Sequence, residues 1–172
     1  MRYNMANSAK TLWNEMVYMV SPIYAANNFI LKAMDQGIKL TPLKLQKLLY
    51  ILYARYLYKT GEALFADRFS AWEYGPVLPE IYYIFKRDGS SPITVPKPDY
   101  NGEILVVTEE GEFGECFNDV WRNFANKSAS ELVSKTHEPG AAWAQAVVNE
   151  DYHLGGFLED SKIKRDGEAW FE

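Results

Sequence analysis

The segment from Leu43 to about Lys59 constrains the fold more than any other part of the chain. Apolar side chains recur there at helical spacing and cover most of the circumference of a helix. They are Leu43, Leu45, Leu48, Leu49, Tyr50, Leu52, Tyr56 and Leu57. A helix that is apolar on nearly all sides needs other elements packed around it, because water would otherwise meet those side chains. The sequence therefore predicts a mainly α-helical domain with this helix buried at its centre.

Local signals bound this helix at both ends. Thr41 can accept a hydrogen bond from a free N–H at the helix start, and Pro42 suits the first helical position. Gly61 adopts the left-handed conformation of a C-terminal cap at little cost. In the same way Ser128 and Glu131 have the spacing of a capping box, which starts a later helix ending near His137.

The other predicted elements are short and are joined by loops. Helices are expected at 23–36, from Pro79 to about 88, from 114 or 115 to 124, after Ser128, and over 141–148, and strands at 68–74 and 103–108. The two strands are expected to pair with each other, giving a compact single-domain helical bundle with a small two-stranded β element. Residues 1–20 are interpreted as an N-terminal extension, an extra helix or an early gene start, and 21–172 as one domain.

Composition narrows the possible functions. The net charge of −5 gives no overall attraction to nucleic acid, and the apolar stretches are too short for a membrane span. Cys116 stands alone, which favours a reducing, cytoplasmic location without an internal disulfide. His137 and His153 are the two histidines and are not clustered with other ligands, so we expect no metal and no cofactor.

No spacing in the chain assembles an active site. Cys116 has no activating base nearby in sequence and is interpreted as a small core side chain. His137 follows a helix whose dipole could stabilise its cation, although simple packing at the helix end is favoured. The acidic residues 109–115 are interpreted as a solvated turn. We therefore expect no catalysis.

The central helix also carries a basic stripe, which consists of Lys44, Lys47, Arg55 and Lys59. On a helical wheel these four side chains share one arc. The stripe could contact phosphates or an acidic protein, although such a stripe is more often the solvated edge of a core helix. Lys44, Lys47 and Arg55 are kept as candidates for partner binding.

The segment from Trp72 to Val77 is the most distinctive in the chain. Gly75 before Pro76 imposes an extended or turn geometry and would hold the flanking aromatic side chains rigidly. Two interpretations remain open: Trp72 belongs to the core and the turn determines the fold, or the turn presents Tyr74 on the surface. On the second, Trp72 and Tyr74 contact a partner beside the basic stripe.

These motifs resemble the Panacea domain, a family that includes SocA-like antitoxins and phage-associated GepA-type proteins. The resemblance rests on LTPLKLQKLLY at 40–50, GEALF at 61–65 and AWEYGPVLPEIY at 71–82. A weaker likeness runs from SELV at 130–133 through THE at 136–138 to Trp143. The chain departs from the family at Trp143, because the family tends to place proline directly before this tryptophan.

The resemblance implies a non-enzymatic antitoxin of a bacterial or prophage toxin–antitoxin system. Family members neutralise toxins by direct contact, and one branch instead delivers its toxin to a Clp protease. The leading expectation is direct binding of a cognate protein toxin. A proteolytic adaptor is the first alternative, for which the charged C-terminal tail could be a docking peptide. A DNA-binding autorepressor is the second, although the acidic total charge argues against nucleic acid. An enzyme of unknown type is a further alternative.

Overall fold

The computed structural model describes residues 4–6, 19–148 and 156–171, which form seven α-helices and four short strands. In chain order these are β1 (Asn4–Ala6), α1 (Pro22–Asp35), α2 (Pro42–Thr60), β2 (Ser70–Trp72), β3 (Gly75–Val77), α3 (Pro79–Phe85), β4 (Leu105–Val107), α4 (Gly111–Phe124), α5 (Ala129–Thr136), α6 (Ala142–Val148) and α7 (Asp160–Ala169). A single 3₁₀ turn, Lys86–Asp88, extends α3. The mainly α-helical prediction is confirmed.

Helix α2 is the centre of the domain, as predicted. The Thr41 hydroxyl accepts a hydrogen bond from the Lys44 N–H, and Gly61 ends the helix at φ 77°. Leu48 and Leu52 are both fully buried. Helices α1, α4, α5 and α7 pack around α2, and the contact with α7 is the most extensive. These helices cover the apolar side chains of α2, as its sequence pattern requires.

Helix α4 covers α2 with one strongly apolar face. Its buried side chains are Phe113, Cys116, Phe117, Val120, Trp121 and Phe124. The ring of Phe117 lies 4.7 Å from that of Phe29 on α1, which joins the two outer helices through aromatic contacts. The helix begins at Gly111, three residues earlier than predicted, so Glu112 belongs to its first turn and not to a loop. An acidic side chain is favoured there by the helix dipole.

The predicted pairing of the two strands is wrong. Strand β2 pairs with β3 as an antiparallel hairpin in which Ser70 faces Val77. Strand β4 pairs instead in parallel with β1. The side-chain amide of Asn28 on α1 accepts a hydrogen bond from the Val107 N–H and donates one to the Val107 carbonyl, both at 2.8 Å. These two bonds pair the backbone of β4 on the side that faces α1. The rest of the N-terminal extension, including any extra helix there, lies largely outside the described residues.

The C-terminal segment is part of the core and does not form a free tail. Helix α7 places Asp166 against the Tyr50 hydroxyl at 2.5 Å, and both carboxylate oxygens accept from the Ala142 N–H. Burial raises the pKa of Asp166 to about 6, and the hydrogen bonds from Tyr50 and Ala142 oppose this effect. The expectation that this tail could be a free docking peptide is therefore corrected for 156–171. Its residues 149–155, with His153, lie outside the described ranges.

None of the described helices combines the length and apolar character that a membrane span requires.

Candidate functional site

An open groove of about 470 Å³ lies between the β2–β3 hairpin, helix α3 and the first turn of α2. Its lining is mostly apolar and aromatic, with few polar groups. The lining residues are Pro42, Leu43, Gln46, Trp72, Glu73, Tyr74, Val77, Ile81, Tyr82, Phe85, Lys86 and Gly89. We call this the aromatic groove. Its size and composition are typical of a site that binds an apolar group.

Tyrosine side chains stand at the margin of the aromatic groove and face solvent. Tyr74 is 59% exposed, and Tyr82 and Tyr83 on α3 are also exposed. The ring of Tyr82 contacts Trp72 edge-on, with centroids 4.8 Å apart, and it contacts Tyr83 at 5.5 Å. The Lys86 ammonium lies 5.1 Å from the Tyr83 ring. Tyrosine combines a large contact area with few rotatable bonds and is therefore enriched where proteins bind each other.

Three side chains hold the backbone of the hairpin from behind. The side-chain amide of Gln46 accepts a hydrogen bond from the Leu78 N–H at 2.9 Å and donates one to the Leu78 carbonyl at 3.0 Å. Lys47 donates to the Pro76 carbonyl at 2.8 Å, and the Trp143 indole donates to the Trp72 carbonyl at 2.8 Å. These hydrogen bonds fix both hairpin strands to α2 and α6. The hairpin is therefore a rigid wall of the aromatic groove.

Gly75 permits this close packing. Its φ of +102° strongly favours glycine, and a Cβ placed there would lie 2.8 Å from the Thr136 hydroxyl and 2.9 Å from Cε of Lys47. The hairpin can approach α2 and α5 only because this residue has no side chain. Both sequence interpretations therefore hold in part: Trp72 is half-buried and the turn determines local structure, while Tyr74 is presented on the surface.

Two of the four side chains of the basic stripe are buried, which corrects the sequence expectation; Arg55 is half-buried and Lys59 is exposed. Lys44 is buried and donates to the Ala125 carbonyl at 2.6 Å, and Lys47 is fully buried. Arg55 forms an ion pair with Asp119 at 2.8 Å, and Lys59 pairs with two glutamates of α4. Carbonyls at the ends of other elements and carboxylates of α4 compete successfully with water for these cations.

The structure also separates Arg55 from the aromatic groove. Arg55 follows Gln46 by nine residues, which is about two and a half turns at roughly 3.6 residues per turn, so the two lie on opposite faces of α2. The Arg55 guanidinium instead lies 4.6 Å from the ring of Phe171, beside α4. Of the predicted partner-binding residues, only Trp72 and Tyr74 therefore line the groove.

The candidate chemical residues have packing roles in this structure. The His137 ring stacks on Trp143 at 3.5 Å, and its buried Nε2 finds no hydrogen-bond partner among the described residues. Burial, and the charge of nearby Lys47, lower the pKa of His137. Burial raises the pKa of the Cys116 thiol to about 12, which makes it a poor nucleophile. Within the described ranges, no three His, Cys, Asp or Glu side chains are grouped as a metal site.

Lys47 should make stability depend on pH. Burial lowers its pKa to about 7, whereas an unfolded lysine titrates near 10.4. Between these values the unfolded chain binds more protons than the folded one, so stability rises with pH. From pH 7 to pH 8.5 we expect the free energy of unfolding to increase by about 1–2 kcal/mol. Urea denaturation at both pH values measures it, and Lys47→Met should lose most of the increase. An equal increase in that variant would contradict the assignment to Lys47.

Sequence reasoning missed the α3 side of the aromatic groove. It predicted a helix from Pro79 to about 88 but did not consider which side chains this helix exposes. Tyr82 and Tyr83 lie on its exposed face. Two adjacent tyrosines on the outer face of a short helix were a usable signal, because a contiguous exposed aromatic patch often marks an interaction site.

Comparison with known proteins identifies the family. The model of the SocA-like antitoxin Panacea domain matches residues 45–144. The chain belongs to this family. It is 32% identical over 147 residues to antitoxin SocA of Caulobacter vibrioides (strain NA1000 / CB15N), which covers 82% of this chain and 78% of the relative. No solved structure matches the chain.

The matched Panacea region contains the hairpin and the side chains that hold it. Gln46, Lys47 and Trp143 all fall within it, as do Trp72 and Tyr74. The Panacea segment thus specifies both the support of the aromatic groove and most of its lining, whereas α7 lies beyond the match. Membership in an antitoxin family points to a regulatory role.

Proposed function

We propose that this protein neutralises a cognate toxin in the cytoplasm by direct protein–protein binding. The observation that carries the proposal is the aromatic groove: an open apolar surface lined by two exposed tyrosines, Tyr74 and Tyr82, with Tyr83 beside them, on a rigid support. Because the chain belongs to an antitoxin family, the expected partner is a toxin. A groove of this kind can bind without first ordering its own backbone, which lowers the entropic cost of association.

Tyr74 is the residue whose removal should report most directly on toxin binding. Its exposed ring makes no contribution to the core, so Tyr74→Ala should leave the melting temperature unchanged. Truncating an interface anchor costs about 2 kcal/mol or more, which corresponds to roughly thirtyfold weaker binding. The measurement is rescue of cells that express the cognate toxin, together with a thermal melt of the purified variant.

Two further variants serve as controls. Tyr100 is 95% exposed and does not line the groove, so Tyr100→Ala should rescue fully. Arg55→Ala removes the ion pair with Asp119 and should lower the melting temperature while keeping toxin affinity. Full rescue by Tyr74→Ala would show that the toxin does not depend on this tyrosine. Loss of rescue in Arg55→Ala without a change in the melt would restore Arg55 as a contact residue.

The alternatives gain no support from the described residues. A proteolytic adaptor needs a second docking element for a Clp-type protease. The C-terminal segment proposed for it pairs with β2 over 156–158 and packs on α2 through helix α7. A DNA-binding autorepressor would need the basic side chains of α2 at the surface. Lys44 and Lys47 are instead buried with carbonyl partners.

A further inference from the structure

We infer that the aromatic groove receives an amphipathic α-helix of the toxin and not an extended segment. This inference rests on the proposed function and specifies the part of the partner that binds. It follows from the way in which backbone groups, apolar side chains and charges are arranged around the groove. Each of these three observations restricts the occupant separately.

The strand edges beside the groove are already hydrogen-bonded. Strand β2 is paired on one edge with β3 and on the other with 156–158, where the Ala71 N–H donates to the Gly156 carbonyl and the Leu158 N–H to the Phe69 carbonyl. Beyond β3, Lys47 occupies the Pro76 carbonyl and Gln46 occupies both backbone groups of Leu78. The third wall is helix α3, which presents side chains and no strand edge to the groove.

An extended partner would therefore bury its backbone groups against walls that offer no pairing. An unpaired buried N–H or C=O costs free energy comparable to a lost hydrogen bond. A helix carries its backbone hydrogen bonds within itself and needs only side-chain contact, which is how helices bind in apolar grooves. Strand addition to the hairpin is thus disfavoured, and the occupant is a helix.

The floor of the groove sets the face that this helix presents. Leu43, Val77, Ile81 and Phe85 supply an apolar floor, and Trp72 with Tyr82 closes one side. The volume of about 470 Å³ holds a few large side chains and not a whole helix. The helix therefore lies across the opening and inserts apolar anchors from adjacent turns, spaced three and four residues apart.

Charge fixes which way the helix lies. Of the described residues that line the groove, Glu73 on the hairpin and Lys86 on α3 carry charge, and both are exposed. A basic side chain of the partner is favoured beside Glu73 and an acidic one beside Lys86. Such marginal pairs add little affinity, but they disfavour the reversed orientation.

Site-specific crosslinking tests the inference on the full-length chain. A photoreactive benzoyl-phenylalanine replaces Tyr74 in one variant and Tyr82 in another, with Tyr100 as the matched exposed control. Each variant is co-expressed with the cognate toxin and irradiated, and the crosslinked positions are mapped by mass spectrometry. We expect Tyr74 and Tyr82 to capture one toxin segment, with captured positions three, four or seven residues apart, and Tyr100 to capture none of it. Captured positions at every second residue, or capture from Tyr100 alone, would overturn the inference.

Affinity measurements separate this inference from the proposed function. Tyr82→Ala should weaken toxin binding at least tenfold, and Lys86→Glu should weaken it up to about fivefold, as expected for an exposed charge pair. If the wild-type complex forms and both variants bind like wild type, the groove inference is wrong and direct neutralisation stands. If the wild type rescues cells without forming any complex, both are wrong. Thermal melts confirm that each variant is folded.

Discussion

Gly167→Ala should destabilise the domain by about 3 kcal/mol or more, although alanine is the better helix former. A Cβ at this position would lie 2.0 Å from the carbonyl oxygen of Ala54 and 2.9 Å from Cβ of Tyr58. Both neighbours belong to α2, and the nearest contact is backbone, which cannot rotate away. Helix α7 would have to move off α2, and overpacking of this kind costs about 1–3 kcal/mol and occasionally more.

The sign of the effect makes this a sharp test. In a helix interior, alanine is favoured over glycine by about 1 kcal/mol, so propensity alone predicts that Gly167→Ala stabilises the protein. The close approach predicts the opposite. Urea denaturation of the purified variant decides between them. Ala169→Gly is the control on the same helix: Ala169 is exposed, and its loss should cost at most about 1 kcal/mol. A Gly167→Ala protein as stable as wild type would show that α7 does not pack on α2 this closely.

This packing also explains why α7 was not predicted from the sequence. Within Asp160–Ala169 the buried residues are Ile163, Asp166 and Gly167. One aliphatic side chain among many charged ones does not produce a helical pattern. The contact depends on a missing side chain at Gly167 and on a hydrogen bond from Tyr50 to Asp166. Both depend on tertiary structure and leave no local signal.

Elements governed by local rules were predicted well. The caps at Thr41, Gly61 and Ser128 are all present, and they bound α2 and α5 close to the predicted positions. Strand pairing was predicted wrongly, because pairing partners are chosen by the whole fold. Gly75-Pro76 was interpreted as the end of a strand, yet these residues begin β3. Proline is accepted there because β3 is an edge strand, where a missing N–H breaks no ladder.

The candidate site was predicted only in part, for a physical reason. Lysines on a helix are usually solvated, so Lys44 and Lys47 were placed on the surface. They are buried because each side-chain nitrogen donates to a carbonyl oxygen, that of Ala125 just after α4 or that of Pro76 in the hairpin. A lysine that binds backbone of a distant segment looks the same in sequence as one that faces water. The turn with Trp72 and Tyr74 was recognisable because glycine and proline fix its local geometry.

The support of the hairpin should prove as important to neutralisation as the residues that contact the toxin. Gly75→Ala should destabilise the domain by about 2–4 kcal/mol, because it combines backbone strain at φ +102° with contacts to Thr136 and Lys47. The hairpin must shift to relieve these contacts, and Trp72 and Tyr74 shift with it. We therefore expect the folded fraction of this variant to bind toxin at least tenfold more weakly than wild type.

Gly61→Ala separates the loss of stability from the loss of binding. Gly61 also has a positive φ, of 77°, but a Cβ there meets nothing within 4 Å, so the substitution adds only left-handed strain of about 1–2 kcal/mol. It lies at the opposite end of α2 from the groove and should keep full toxin affinity. Binding is measured by calorimetry at a temperature where both variants are folded, and stability by urea denaturation. If Gly75→Ala loses stability but binds like Gly61→Ala, the hairpin tolerates displacement and does not position the contact residues. If it loses affinity beyond its unfolded fraction, the glycine conformation and the Lys47 contact set the geometry that the toxin recognises.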